Sequence, residues 1–143
     1  MGGKIIKNTQ TSELKVGYKF GLEFLNSKNG RQFVSKLKNQ ITFGDFKFSD
    51  IPNTCVSAVK AIKDLQLNYC TVHISSGLEA LKAVKKVSGK TKIIGVSILT
   101  SLDNKALKEI GYNKNVKKHL EFPDGGSSTL LFADVVRLRA SRW

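Results

Sequence analysis

Charged and aromatic residues alternate in a short segment near the middle of the chain. Asp45 and Lys47 are two residues apart in a stretch rich in β-forming residues, and Asp50 follows three residues after Lys47. Residues two apart on a strand project from the same face, so we expect the carboxylate and the ammonium group to lie side by side. Such paired charges are costly to bury, and the cost is usually tolerated where a cavity carries out chemistry.

Lys15 is a second candidate cation, because it lies at the end of the preceding predicted strand and can face the same cavity. Two lysines and two aspartates would then converge at the carboxyl ends of neighbouring strands, where barrels of alternating strands and helices keep their active sites. A half-exposed edge strand would show the same alternation. The pattern alone therefore leaves both interpretations open.

Strands and helices alternate along the chain and would position these residues. The predicted strands are residues 14–18, 40–47, 69–74 and 93–99. Helices are predicted over residues 29–38, from Pro52 onward, over residues 78–87 and after Asp103, which has the residue type of an N-cap. Spacings of this size are typical of consecutive βα units with parallel strands. Four units make half of a (β/α)8 barrel or a small open sheet.

Both ends of the chain differ from this repeating region. Residues 1–11 are polar and without periodicity, which predicts a loose leader. Residues 119–143 contain no lysine, include a loop-forming run from Pro123 to Ser128, and end in an arginine-rich tail. This abrupt change suggests an atypical C-terminal segment of different origin, such as a frameshifted end. An ordinary linker with a terminal element is the alternative.

The composition of the chain indicates which partners and which cellular compartment to expect. The net charge is +13, with 24 Lys plus Arg against 11 Asp plus Glu. The lysines do not interleave with stacking aromatic residues, so we expect a solvated surface and no nucleic-acid partner. No apolar run approaches the length of a membrane span, and no signal peptide is predicted. Cys55 and Cys70 lie in apolar surroundings, which favours reduced cysteines in a cytoplasmic protein.

The charged segment resembles the active-site signature of the orotidine 5′-phosphate decarboxylase family. It has the pattern Asp-x-Lys-x-x-Asp from Asp45 to Asp50 and continues as Ile-Pro-Asn-Thr to Thr54. Residues 14–17 with 21–24, residues 72–77 and residues 98–103 also resemble the ends of that family's strands. The resemblance covers about residues 12–118 and implies a partial (β/α)8 TIM barrel of about four βα units.

The resemblance implies a role for each matching residue. Lys47 would be the general acid that protonates C6 of the pyrimidine as CO₂ departs, and Asp45 would orient it. These implied site residues comprise the catalytic Lys15, Asp45, Lys47 and Asp50, and the substrate-binding Ile51, Thr54, Thr100 and Ser101. Asp50, Ile51 and Thr54 would be donated to a neighbouring subunit, which implies a homodimer with shared sites. No cofactor or metal is expected. His73 is interpreted as a packed histidine or as one that supports the site indirectly.

Parts of the family's pattern have no counterpart in this sequence. Residues 1–11 show no match to the first strand's aspartate, and residues 119–143 show no recognisable phosphate-gripping loop, glutamine or arginine. The sequence therefore predicts a decarboxylase that acts alone or with a complementary fragment. The alternatives are an inactive remnant that acts at most as a basic anion-binding module, and a related sugar-phosphate lyase that uses Mg²⁺.

Overall fold

Four parallel strands form one sheet, in which they lie in the order of the sequence. The computed structural model describes residues 2–9 and 16–113. The strands are β1 (Gly17–Phe20), β2 (Ile41–Phe48), β3 (Tyr69–His73) and β4 (Lys92–Val96). A helical segment follows each strand, so the predicted succession of four βα units is confirmed. Parallel neighbours place the carboxyl ends of all four strands at one edge of the sheet.

Six α-helices occur in the described part of the chain. They are α1 (Gly2–Thr9), α2 (Leu22–Asn26), α3 (Gly30–Ser35), α4 (Pro52–Ala61), α5 (Leu78–Val87) and α6 (Asn104–Glu109). Pro52 occupies the first turn of α4, where its missing N–H costs no hydrogen bond. The Asp103 carboxylate accepts hydrogen bonds from two backbone N–H groups of α6, as its predicted N-cap role requires.

The apolar core lies between the sheet and the helices that cover one of its faces. The first cluster of buried residues comprises Phe20, Leu25, Val34, Ile62, Leu65, Leu67 and Cys70. The second comprises Cys55, Val59, Val72, Ala80, Leu81 and Val84. Cys70 and Val72 alternate with Thr71 on β3, so the side chain of Thr71 projects from the opposite face. That opposite face carries the polar residues of the candidate site.

Several predicted segments differ in the structure. The loose leader is wrong for residues 2–9, because helix α1 forms there and the Thr9 and Tyr18 hydroxyl groups lie 2.8 Å apart. Ile6 is buried, so α1 is amphipathic and held by tertiary contact. The predicted helix over residues 29–38 is shorter in the structure, where α3 covers Gly30–Ser35, and the sequence analysis did not predict α2 before it. Residues 119–143 lie outside the described residues, as do residues 14 and 15 of the first predicted strand.

Gly30 makes the close turn between α2 and α3. A Cβ atom at this position would overlap the carbonyl oxygen of Phe24, which is backbone and cannot swing aside. The bend therefore requires glycine on steric grounds. Among the described residues, no helix is both long and apolar enough to cross a membrane.

Candidate active site

An irregularity in β2 shapes the candidate site. Gly44 pairs with Cys70 and Phe48 pairs with Val72, so β2 advances four residues while β3 advances two. The extra residues bulge out of the regular ladder and redirect their side chains. Lys47, inside the bulge, has a φ of 51°, a left-handed conformation that is uncommon for a residue with a Cβ atom. Its backbone N–H donates to the Thr71 hydroxyl oxygen at 2.8 Å, because the ladder partner is lost.

The carboxylate of Asp45 is the centre of the site. Its Oδ1 atom lies 2.9 Å from Lys47 Nζ and 3.2 Å from Thr71 Oγ1. Its Oδ2 atom lies 3.0 Å from Lys19 Nζ. The side chain of Asp45 is only 5% exposed, whereas Lys47 is 23% and Lys19 is 53% exposed. A buried carboxylate thus lies between two ammonium groups that reach toward solvent and contacts one of them through each of its oxygen atoms.

The environment of Asp45 favours its ionised form. Burial alone would raise the pKa of this carboxyl, but hydrogen bonds from Lys47 and Lys19 and their positive charges outweigh burial. They hold the pKa of Asp45 below its ordinary value of 3.8. The site therefore keeps a negative charge between two positive charges at neutral pH. This alternation of charge is preorganised, since each group is held by strands of the sheet.

Two neighbouring groups feel the same charges. Burial, and then the positive charge of Lys47, lower the pKa of His73 at the end of β3, which favours a neutral imidazole. Burial, and then the negative charge of Asp45, raise the pKa of the Cys70 thiol to about 12. The thiol lies on the helix-facing side and is unreactive at neutral pH. Among the described residues, no group of three or more His, Cys, Asp or Glu side chains could hold a metal ion.

A family comparison decides what this arrangement belongs to. The family model described as Orotidine 5′-phosphate decarboxylase / HUMPS family matches residues 8–122. The chain belongs to this family. The orotidine 5′-phosphate decarboxylase of Wolbachia sp. subsp. Brugia malayi is 42% identical over 130 residues, which are 86% of this chain and 52% of that protein. The one from Aquifex aeolicus is 39% identical over 103 residues, which are 70% of this chain and 42% of that protein.

Solved structures of the family share the fold. The crystal structure of orotidine 5′-phosphate decarboxylase from Lactobacillus acidophilus matches with a TM-score of 0.72 and 25% identity, over 89% of this chain and 63% of that chain. This likeness, with the four parallel βα units, confirms the predicted α/β class and the partial (β/α)8 barrel. The chain spans about half the length of the curated relatives it matches.

The structure brings together only some of the family's expected residues. Lys15 lies outside the described residues. Asp50 is exposed in the turn after β2, where its carboxylate accepts the backbone N–H of Ile51 at 2.7 Å, and it forms no ion pair within the described part of the chain. Ile51 is 66% exposed. Thr54 is exposed on the first turn of α4. These last three residues form one solvent-facing strip beside the site.

Thr100 and Ser101 follow β4 and are exposed. They lie in a turn beyond the end of the strand, which stops at Val96 and is shorter than predicted. His73 is half-buried at the end of β3. The contact of either residue after β4 with a substrate stays a prediction.

Sequence reasoning missed two residues that contact Asp45. Lys19 pairs in register with Phe43, so it shares a face with Asp45 by the same two-residue alternation that indicates Lys15. That signal was present in the sequence. Thr71 had no such signal, because its hydroxyl reaches Lys47 only through the bulge in β2. A bulge depends on how two strands pair and is invisible in either strand alone.

Proposed function

We propose that this chain carries out the decarboxylation of orotidine 5′-phosphate to uridine 5′-phosphate in pyrimidine biosynthesis. The observation that carries the proposal is the ion pair between Lys47 and Asp45, 2.9 Å apart at the carboxyl end of β2. Both residues belong to the segment that matches the family. The lysine is accessible from solvent while the aspartate beneath it is buried, which is the arrangement needed to present an ammonium group to a bound substrate.

Lys47 acts as the general acid in this proposal. The bond from C6 of the pyrimidine to the carboxylate carbon breaks, CO₂ leaves, and the electron pair remains on C6. The ammonium group of Lys47 stabilises the developing negative charge and then transfers a proton to C6. Asp45 orients the ammonium group and remains ionised throughout. The chemistry requires no cofactor and no metal ion.

The exposed strip of Asp50, Ile51 and Thr54 is proposed to complete the site of a second copy of this chain. An apolar side chain that is 66% exposed at Ile51 supports this part of the proposal. It lies between an aspartate and a threonine that face solvent, so a partner could bind it with both polar and apolar contacts. The assembly would be a cytoplasmic homodimer. Thr100 and Ser101 are proposed to contact the pyrimidine, and His73 to support the site from beside Lys47.

The direct test is decarboxylation of orotidine 5′-phosphate by the full chain, followed as loss of substrate absorbance and release of CO₂. Lys47→Ala should lower kcat by at least about 100-fold, since it removes the proton donor. Lys85→Ala is the matched control, because Lys85 is an exposed lysine on α5 and should leave kcat unchanged. Absence of decarboxylation by the unmodified chain, or equal rates for both variants, would refute the proposal.

Two further experiments test for the Mg²⁺-dependent lyase and identify the second cation of the site. Activity that persists in EDTA excludes the Mg²⁺-dependent lyase, whereas activity lost in EDTA and restored by Mg²⁺ favours it. Comparing Lys15→Ala with Lys19→Ala identifies the second cation of the site. The family resemblance predicts that Lys15→Ala is the more damaging change, while the 3.0 Å contact with Asp45 predicts a substantial loss for Lys19→Ala.

A further inference from the structure

We propose that Thr71 is a positioning residue that fixes Lys47 and Asp45 relative to each other. This inference rests on the proposed function. Thr71 is fully buried in β3 on the face that carries Asp45. Its hydroxyl oxygen accepts the backbone N–H of Lys47 at 2.8 Å and lies 3.2 Å from Asp45 Oδ1. One hydroxyl group thus contacts both the main chain of the proposed acid and the side chain of its carboxylate partner.

The direction of these hydrogen bonds follows from the chemistry of the groups. A backbone N–H can only donate, so the hydroxyl oxygen of Thr71 accepts from Lys47. An ionised carboxylate can only accept, so the hydroxyl proton of Thr71 points to Asp45. The low pKa of Asp45 is consistent with this assignment because a hydrogen bond to the ionised form favours that form. The donor and acceptor capacities of the threonine are therefore both used.

The bulge explains why a side chain is needed here. With two extra residues in β2, the N–H of Lys47 has lost its place in the ladder. An unsatisfied N–H in a part-buried site is costly, and the left-handed φ of 51° adds strain. The Thr71 hydroxyl replaces the missing strand carbonyl and secures the bulge. The position of Lys47 Nζ therefore depends on a hydroxyl group that need not touch the substrate.

The test compares Thr71→Val and Thr71→Ala, which both remove the hydroxyl, with Thr71→Ser, which retains it. Thr42→Val is the matched control, because Thr42 is also a buried threonine whose hydroxyl donates to a side chain, at 3.3 Å to Asn68. Each variant of the full chain is measured for kcat and KM with orotidine 5′-phosphate. The carboxyl pKa of Asp45 is measured by ¹³C NMR titration.

Loss of the hydroxyl should lower kcat by about 10- to 100-fold with KM changed less than about threefold, because one hydrogen bond to a charged group is lost and the acid is misplaced. The pKa of Asp45 should rise in both variants. Thr71→Ser should restore kcat to within about threefold and keep the pKa low, and Thr42→Val should change neither quantity. Thr71→Ala shows whether an effect of Thr71→Val comes from the lost hydroxyl group or from poor packing of the added methyl group.

The outcomes separate this inference from the proposed function. If the unmodified chain decarboxylates the substrate but Thr71→Val and Thr71→Ala retain kcat and the low pKa of Asp45, the positioning role is wrong and the function stands. If the unmodified chain has no activity, the function fails, while the NMR titration still decides whether Thr71 stabilises ionised Asp45. An equal loss in Thr71→Ser and Thr71→Ala would also overturn the inference.

Discussion

The left-handed backbone at Lys47 leads to a prediction about stability that does not depend on substrate. Lys47→Gly and Lys47→Ala both remove the ammonium group that pairs with Asp45. They differ only in whether a Cβ atom remains on a residue with a φ of 51°. The difference between the two variants therefore isolates the cost of the backbone conformation from the cost of the lost ion pair.

The size of this difference follows from two opposing contributions. A left-handed conformation costs a residue with a Cβ atom roughly 1–2 kcal/mol. Glycine avoids this cost but loses more backbone freedom on folding, which lowers its advantage over alanine by about 0.5–1 kcal/mol. Lys47→Gly should therefore be more stable than Lys47→Ala by about 0.5–1 kcal/mol. Both variants should lack decarboxylation, so the more stable of them gains nothing in activity.

Urea unfolding followed by circular dichroism measures the two free energies of unfolding. Gln66 offers a matched control, since it has a φ of 50° but is exposed and lies outside the cluster of Lys19, Asp45, Lys47 and Thr71. Gln66→Gly should exceed Gln66→Ala in stability by a similar amount. Equal stability of the two Lys47 variants, with the expected difference at Gln66, would show that residue 47 does not hold the left-handed conformation.

The remaining predictions concern packing in the core and the loss of stability at low pH. Gly30→Ala should cost more than about 3 kcal/mol by urea unfolding because its Cβ overlaps the Phe24 carbonyl oxygen, whereas Gly3→Ala, with no atom within 4 Å, should be neutral or stabilising. Cys70, with a pKa raised to about 12, should react with a thiol reagent at pH 8 only after unfolding; rapid labelling of the folded chain would contradict its burial. The pKa of Asp45 is held below 3.8, so its contribution to stability is complete above that pH and is lost as the pH falls toward the folded-state pKa. The stability difference between the unmodified chain and Asp45→Asn should accordingly be constant from pH 5 to 7 and shrink below about pH 3.8; a difference that grows on acidification would reverse the sign of this reasoning.

Local sequence rules predicted the features that depend on neighbouring residues. Asp103 before a helix and Pro52 in a first turn follow from capping and from the missing proline N–H. The contact of Asp45 with Lys47 follows from two-residue alternation on a strand. Each of these requires only a few consecutive residues, so no knowledge of the tertiary fold was needed.

Features that depend on distant residues were missed. Helix α1 is too short to be stable alone, and the structure holds it against Tyr18 through Thr9 and the carbonyl of Ile6. The contacts of Thr71 with Lys47 and Asp45 depend on the pairing of β2 with β3. Periodicity within one strand cannot reveal where the partner strand skips residues. The sequence analysis proposed Lys15 as the second cation, whereas the lysine of β1 that contacts Asp45 in the structure is Lys19.

The bulge in β2 also affects the apolar side of the sheet. Phe46 and Phe48 project toward the helices, and their rings stack at 4.9 Å with an interplanar angle of 13°. These rings flank Lys47 in the chain, so a change in their packing shifts the same backbone that aims the ammonium group. A conservative change such as Phe46→Leu would thus alter the position of the Lys47 ammonium group on the opposite face of the sheet. Substitutions in the apolar core beneath β2 consequently change the geometry of the charged site as well.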